Sequence, residues 1–231
     1  MPTARLIPNV ERRLAAWVGV QERLRREPRR EPRAAITISR QFGCEAYPLA
    51  ELLGKELQQG TGEVWTVFDE ALISRASREL ELSEALLGNI GSESRLLDNL
   101  ANLVPGWHTQ NEAYERLVRY ILSIARGGSA IIVGRGGAVI TQSLANCCHV
   151  RLEAPLERRV QSIQQRLGLD ADEAKALVLD YERNRERFIE RFLHCSMADT
   201  RYYHAVYNAD KSPLEQIAKS ILDLVPLFPS R

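Results

Sequence analysis

Residues 34–57 read AAITISRQFGCEAYPLAELLGKEL, and the fold turns on this stretch. Ile36 to Ser39 is a short β-branched run of the kind that forms a buried strand. A loop led by Gly43 follows, with Pro48 suited to the first turn of a helix, where its missing N–H costs nothing. From there Leu49, Leu52, Leu53, Glu56 and Leu57 recur at helical spacing, and the helix is expected to end near Gly60 and Gly62. A strand, a glycine-bearing loop and a helix N-terminus in succession favour an anion, because free backbone N–H groups and the helix dipole both point at the loop. The loop Arg40 to Tyr47 is therefore the first candidate site. The phosphate-loop pattern G-x-x-x-x-G-K-[ST] is absent, however, and the four lysines, Lys55, Lys175, Lys211 and Lys219, all lie elsewhere. On local pattern alone, a phosphate site and an ordinary strand-to-helix turn both stay open.

Working outward, strand and helix signals alternate. Val64 to Phe68 reads as a second strand, and Asp69 opens FDEALISRASREL as a helix with an acidic first turn. Asn111 to Arg126 carries Leu117, Val118, Ile121, Leu122 and Ala125 on one helical face and stops at Gly127-Gly128. Ala130 to Val133 and Cys148 to Leu152 read as further apolar strands. Leu156 to Leu167 and Asp170 to Phe192 follow as helices, then Tyr203 to Tyr207 as a last strand, then a helix over Pro213 to Leu224. Strands that are apolar throughout and separated by helices predict an α/β fold, a parallel sheet covered by helices on both faces. Such sheets bind ligands beyond the carboxyl ends of their strands.

Composition narrows the classes. The 231 residues are long for one small domain and short for two, so one main domain over 34–231 is expected behind an extension at 1–33. That extension carries nine arginines against four glutamates, an excess of five, while the whole chain has a formal net charge of only +1. It reads as an Arg-rich helical arm, suited to a protein partner or to self-association, and no specific nucleic-acid partner is indicated. Cys44, Cys147, Cys148 and Cys195 form no C-x-x-C pair and are expected to be reduced thiols. No apolar run approaches 18 residues, and the opening residues lack the apolar core of a signal peptide, so a soluble cytoplasmic protein without a membrane partner is expected. His108, His149, His194 and His204 fall into no metal or hydrolase pattern, and no protein-held metal is expected.

Two further candidates remain. Gly134-Arg135-Gly136-Gly137 ends an apolar strand, and an arginine flanked by glycines there suits a bidentate phosphate clamp. A partial dinucleotide fingerprint with Glu153 as ribose acid competes with that reading, although Val139 stands at its last glycine position. The second is the run Asp180-Tyr-Glu-Arg-Asn-Arg-Glu-Arg-Phe-Ile-Glu-Arg-Phe192. Its default is a solvated face held by i,i+4 pairs. Arginines there, with Arg158, Arg159 and Arg166 on the preceding helix, would stabilise a transferring phosphoryl group if they faced the strand ends.

Taken in order, ITISRQFG, FDEALI, AIIVGRGGAVI, VRLEAPLERRV, YERNRERFIERF and RYYHAVYNAD resemble the cytidylate kinase-like family of P-loop nucleoside monophosphate kinases, over roughly Ile36 to Leu224. The resemblance implies a three-layer α/β kinase fold with a helical lid at about 157–200. It implies transfer of the ATP γ-phosphate, with Mg2+, onto a pyrimidine monophosphate such as CMP. By its pattern, Ser39, Arg40, Gly43, Cys44, Glu45 and Ala46 belong to the phosphate loop, and Asp69 lies on the monophosphate side. Arg135 matches the glycine-flanked arginine that holds the acceptor phosphate. Arg185, with Glu182 three residues before it, matches the lid arginine and its acidic partner, and Arg159 falls in the arginine-bearing helix after the fourth strand. The family writes its loop S-R-Q-F-G-S-G-G-R-E-I-A, whereas this chain places Glu45 and Ala46 at two glycine positions and Tyr47 and Pro48 at the Arg-Glu pair. Where the family has Y-D-L-V-x-N, this chain has His204 at the acidic position.

An active cytidylate-type kinase is the leading reading. The alternative is a degenerate kinase-fold module for nucleotide sensing or protein interaction, and a dinucleotide oxidoreductase built on Gly134 to Glu153 stands third. An active kinase requires open amides around Gly43 with Arg40, Arg135 and Arg185 converging on them.

Overall fold

A computed structural model of the chain describes residues 33–69, 72–73, 112–134 and 136–227. The Arg-rich extension of 1–33 except its last residue, most of the expected helix FDEALISRASREL and Arg135 lie outside the described residues. Five strands form one parallel sheet in the order β2-β3-β1-β4-β5. They are β1 (Ala35–Arg40), β2 (Thr66–Phe68), β3 (Ala130–Val133), β4 (Cys147–Glu153) and β5 (Ala205–Asn208). The helices are α1 (Ala46–Thr61), α2 (Glu112–Gly127), α3 (Gly137–Ile140), α4 (Leu156–Leu167), α5 (Ala171–Leu193) and α6 (Leu214–Leu224).

Alternation along the strands sends neighbouring side chains to opposite faces, and each face has its own core. Ile36, Ile38, Ile131 and Val150 pack with Leu49 and Leu53 of α1 and with Ile217 and Ile221 of α6. Ala35, Ala130 and Ile132 pack with Val118 and Ile121 of α2 and with Val139 of α3. The sheet is thus covered on both sides, as its nearly unbroken apolar strands require. A third, smaller core joins α4 to α5 through Ile163, Ala174 and Val178, and its remaining member is Phe42, from the loop after β1. The first turn of α5 is fixed by a capping box: Asp170 accepts from the Glu173 amide at 2.8 Å, and the Glu173 carboxylate accepts from the Asp170 amide at 3.3 Å.

Two strands depart from the expectation of apolar residues throughout. β5 begins at Ala205, not Tyr203, because Thr200–Tyr202 form a 3-10 turn capped by Asp199. As an edge strand it alternates half-buried and exposed residues. β4 carries two buried polar side chains, His149 and Arg151, in register with Thr37 and Ser39 of β1. Thr37 Oγ1 and His149 Nδ1 are 2.8 Å apart, and the His149 amide donates to His204 Nδ1 at 2.9 Å.

Burial, reinforced by the neighbouring His204, pushes the His149 pKa from 6.5 down to about 4. The folded state therefore holds this ring neutral over a range where the unfolded chain binds the proton. Its contribution to stability is complete above about pH 6.5 and is lost as the pH falls toward 4. In His149→Asn, whose amide takes over the hydrogen bond to Thr37, urea-denaturation free energy should fall less steeply between pH 6.5 and pH 4 than in the unsubstituted protein.

Candidate functional site

The loop from β1 into α1 should offer open amides if it cradles phosphate; four of its amides are committed, and those of Gly43 and Glu45 are not. Gln41 N–H donates to Leu152 O at 3.0 Å, Cys44 N–H to Gln41 O at 3.2 Å and Ala46 N–H to Cys44 O at 2.9 Å. Phe42 N–H donates to the Glu182 carboxylate of α5 at 2.7 Å. Gly43 adopts φ +99°, and a Cβ built on it would lie 2.6 Å from Arg159 Cβ and 2.8 Å from Arg159 O. Glycine is required here by a left-handed conformation and by the close approach of α4. Neither Glu45 nor Tyr47 fills the loop. The Glu45 carboxylate turns to α4, accepting from Ser162 Oγ at 3.4 Å, and Tyr47 is buried with α1. Burial, only partly offset by Arg159, pushes the Cys44 thiol up to about 11, so it is protonated at neutral pH.

Three of the expected residues meet at Phe42. Arg159 donates through Nη1 to Phe42 O at 3.3 Å and stands 3.5 Å from the Glu182 carboxylate, while its Nε donates to Ala154 O at 3.0 Å. Arg185 donates through Nη1 to Arg40 O at 2.7 Å and lies 3.7 Å from the same carboxylate. The Phe42 ring stacks on Tyr181, centroids 4.5 Å apart.

This seam has a hollow on each side. A cleft of about 900 Å3 lies over the carboxyl ends of β1, β3 and β4, with Ser39, Arg40, Gly134, Arg151 and Glu153 in its floor and wall and Glu182 and Arg185 of α5 across from them. A smaller hollow of about 280 Å3 takes Gly43, Cys44, Glu45 and Arg159, together with residues following β5. The expected phosphate loop is thus divided: Ser39 and Arg40 face the large cleft, and Gly43 to Glu45 face the small one.

The other expected residues are placed as follows. Arg135 lies outside the described residues, but both of its neighbours are tightly packed glycines. A Cβ on Gly134 (φ +87°) would overlap the Arg40 guanidinium, and one on Gly136 (φ +70°) would overlap Leu193 of α5. Ala46 opens α1 and is buried. Asp69 is buried at the end of β2, with β3 between that strand and β1, and its carboxylate accepts from the Leu72 amide at 2.8 Å as a helix cap does.

One residue of the cleft was missed. Arg151 is 6% exposed, which for an arginine demands partners. Its Nε donates to Glu153 Oε1 at 2.6 Å, and its guanidinium lies 5.8 Å from the centre of the Tyr203 ring. Tyr203 in turn is anchored by donating to Met197 O at 3.0 Å. The signal was a pair of opposite charges two residues apart in a mostly apolar strand, which places both on one face.

The model of the cytidylate kinase-like family matches residues 35–211. None of the curated proteins matches the chain. Among solved structures, an uncharacterized protein from Eubacterium ventriosum ATCC 27560 superposes with a TM-score of 0.65 at 17% identity, covering 84% of this chain and 98% of that one. Shikimate kinase from Bacteroides thetaiotaomicron gives a TM-score of 0.43 at 13% identity, over the same shares of the two chains. At these identities the first likeness shows a common fold, and the second carries nothing further.

Gly43→Ala places a methyl group into the Arg159 backbone at positive φ, and no rotation of a flexible side chain relieves that contact. Urea denaturation should show a loss of about 2 kcal/mol or more, whereas Gly60→Ala, where a Cβ meets nothing within 4 Å, should lose none.

Proposed function

We propose, for a chain that belongs to the cytidylate kinase-like family, that the large cleft takes a pyrimidine nucleoside monophosphate such as CMP and that ATP with Mg2+ is the phosphoryl donor when the loop after β1 is open. The observation that carries this reading is the cleft itself: about 900 Å3 beyond the carboxyl ends of three parallel strands, with Arg40, Arg151 and Arg185 around it. Parallel sheets bind ligands at that position, and arginines are the residues that grip phosphate oxygens in a planar, paired geometry. Arg135, one residue beyond Gly134 of the cleft wall, belongs to the same reading as the holder of the acceptor phosphate. Magnesium arrives with the nucleotide as part of the substrate. In phosphoryl transfer the protein's work is positioning and charge stabilisation, and Arg159 and Arg185, which meet at the loop, suit that work.

A second reading is favoured by the committed amides of the loop. With Phe42 N–H held by Glu182 and Gly43 pressed on Arg159, the donor side is partly closed in this conformation. On that reading the protein is a module that binds a mononucleotide without turning over ATP.

Calorimetry separates the two. CMP should bind the purified protein at micromolar concentration, about −8 kcal/mol, and Mg-ATP at least about tenfold more weakly, a gap of roughly 1.4 kcal/mol. ADP release with both nucleotides present identifies the kinase, and CMP binding without ADP release identifies the module. Absence of CMP binding at millimolar concentration overturns both. Arg135→Ala should abolish CMP binding with little change in melting temperature, and unchanged binding with a large loss of stability would make Arg135 structural.

A further inference from the structure

We infer that Glu182 is a built-in anion that holds the loop after β1 closed, and that the position of its carboxylate accepts a phosphate-class oxyanion once it withdraws. The inference rests on reading residues 39–46 as a phosphate loop. Three positive or donor groups from three separate elements converge on one carboxylate oxygen, Glu182 Oε2. The Phe42 amide stands at 2.7 Å, the Arg159 guanidinium of α4 at 3.5 Å and the Arg185 guanidinium of α5 at 3.7 Å. One backbone N–H and two guanidinium groups around a single anionic oxygen make a phosphate-binding arrangement, and here the anion is supplied by the chain itself from 140 residues away.

The surroundings fit a latch better than a chance surface pair. Glu182 and Arg159 have side chains only 18% and 10% exposed, so the contact is shielded from the solvent screening that weakens surface pairs. Phe42 is held on both its backbone groups, since its carbonyl accepts from Arg159 while its amide donates to Glu182. Its ring is stacked on Tyr181, the residue before Glu182. An oxyanion entering the loop must displace this carboxylate, and the two arginines that now neutralise Glu182 are then released to neutralise the newcomer. The exchange is thus close to charge-balanced, which is what allows an internal carboxylate to act as a reversible plug.

The test titrates the full chain with inorganic pyrophosphate by calorimetry and follows the Phe42 amide by 15N NMR. Glu182→Gln keeps the shape and removes the charge. It should bind pyrophosphate at least roughly tenfold more tightly than the unsubstituted protein, the low end of what a charge-assisted hydrogen bond contributes. The Phe42 amide should shift in the variant and shift again on adding pyrophosphate. Glu186→Gln serves as the control, because Glu186 is an exposed acid of the same helix that also lines the cleft. An equal gain in that variant would mean a general field effect and would overturn the latch. So would a folded Glu182→Gln with no gain, or with a gain that leaves the Phe42 amide unmoved. If Glu182→Gln does not fold, Glu182→Asp withdraws the carboxylate by one methylene and must show the same gain, or the inference fails. Absence of CMP binding by the unsubstituted protein would sink the functional reading without touching this result, since pyrophosphate is read by calorimetry and at the Phe42 amide with no CMP present.

Discussion

β1 is hydrogen-bonded on both edges, to β3 on one side and β4 on the other, and this double pairing sets the rest of the molecule. A strand so placed has no freedom to slide, because a shift of one residue would turn Ile36 and Ile38 out of the core that α1 and α6 close. Its carboxyl end therefore delivers residues 40–46 to a fixed point in the crevice between neighbouring strands. The chain leaves β1 toward β2 and β3 on one side and later returns to β4 and β5 on the other. That reversal leaves the loop after β1 without a covering helix of its own, and α4 and α5 meet it from above.

What meets the loop there is a compact electrostatic cluster rather than an open cradle. Two arginines, one carboxylate and the backbone of Phe42 satisfy one another in a partly buried seam. The seam also explains how an unpromising loop sequence persists in a kinase fold. The Glu45 carboxylate is met by Ser162 of α4, and the negative charge that bonds the Phe42 amide is the one with two arginines to meet it.

The fold was largely legible because its signals were local. Ala130 to Val133 and Leu156 to Leu167 matched their expected runs to the residue, and the expected helix start at Asp170 is the cap of α5. β5 was displaced because Tyr203 and His204 look strand-like by type, yet the 3-10 turn before them consumes the geometry. The candidate site was legible only as a set of residues. Arg159, Glu182 and Arg185 could be picked by the family resemblance, but nothing in the sequence says that Glu182 bonds the Phe42 amide across 140 residues. Arg151 escaped notice because a strand window judged by its apolar average hides a single charge, and burial of that charge depends on Glu153 and Tyr203, both outside the window Cys148 to Leu152.

The length of α5 has a mechanical consequence. Its 23 residues make a rod of about 34 Å. Near its start Ala174 packs with Ile163 of α4, its middle presses Glu182 into the loop, and its far end lodges Leu193 against Gly136. A single hydrogen-bonded helix therefore touches both the loop after β1 and Gly136, and the two contacts, at residues 182 and 193, stand about 16 Å apart along its axis. Residues 42 and 136, far apart in sequence, are thereby set against one ruler.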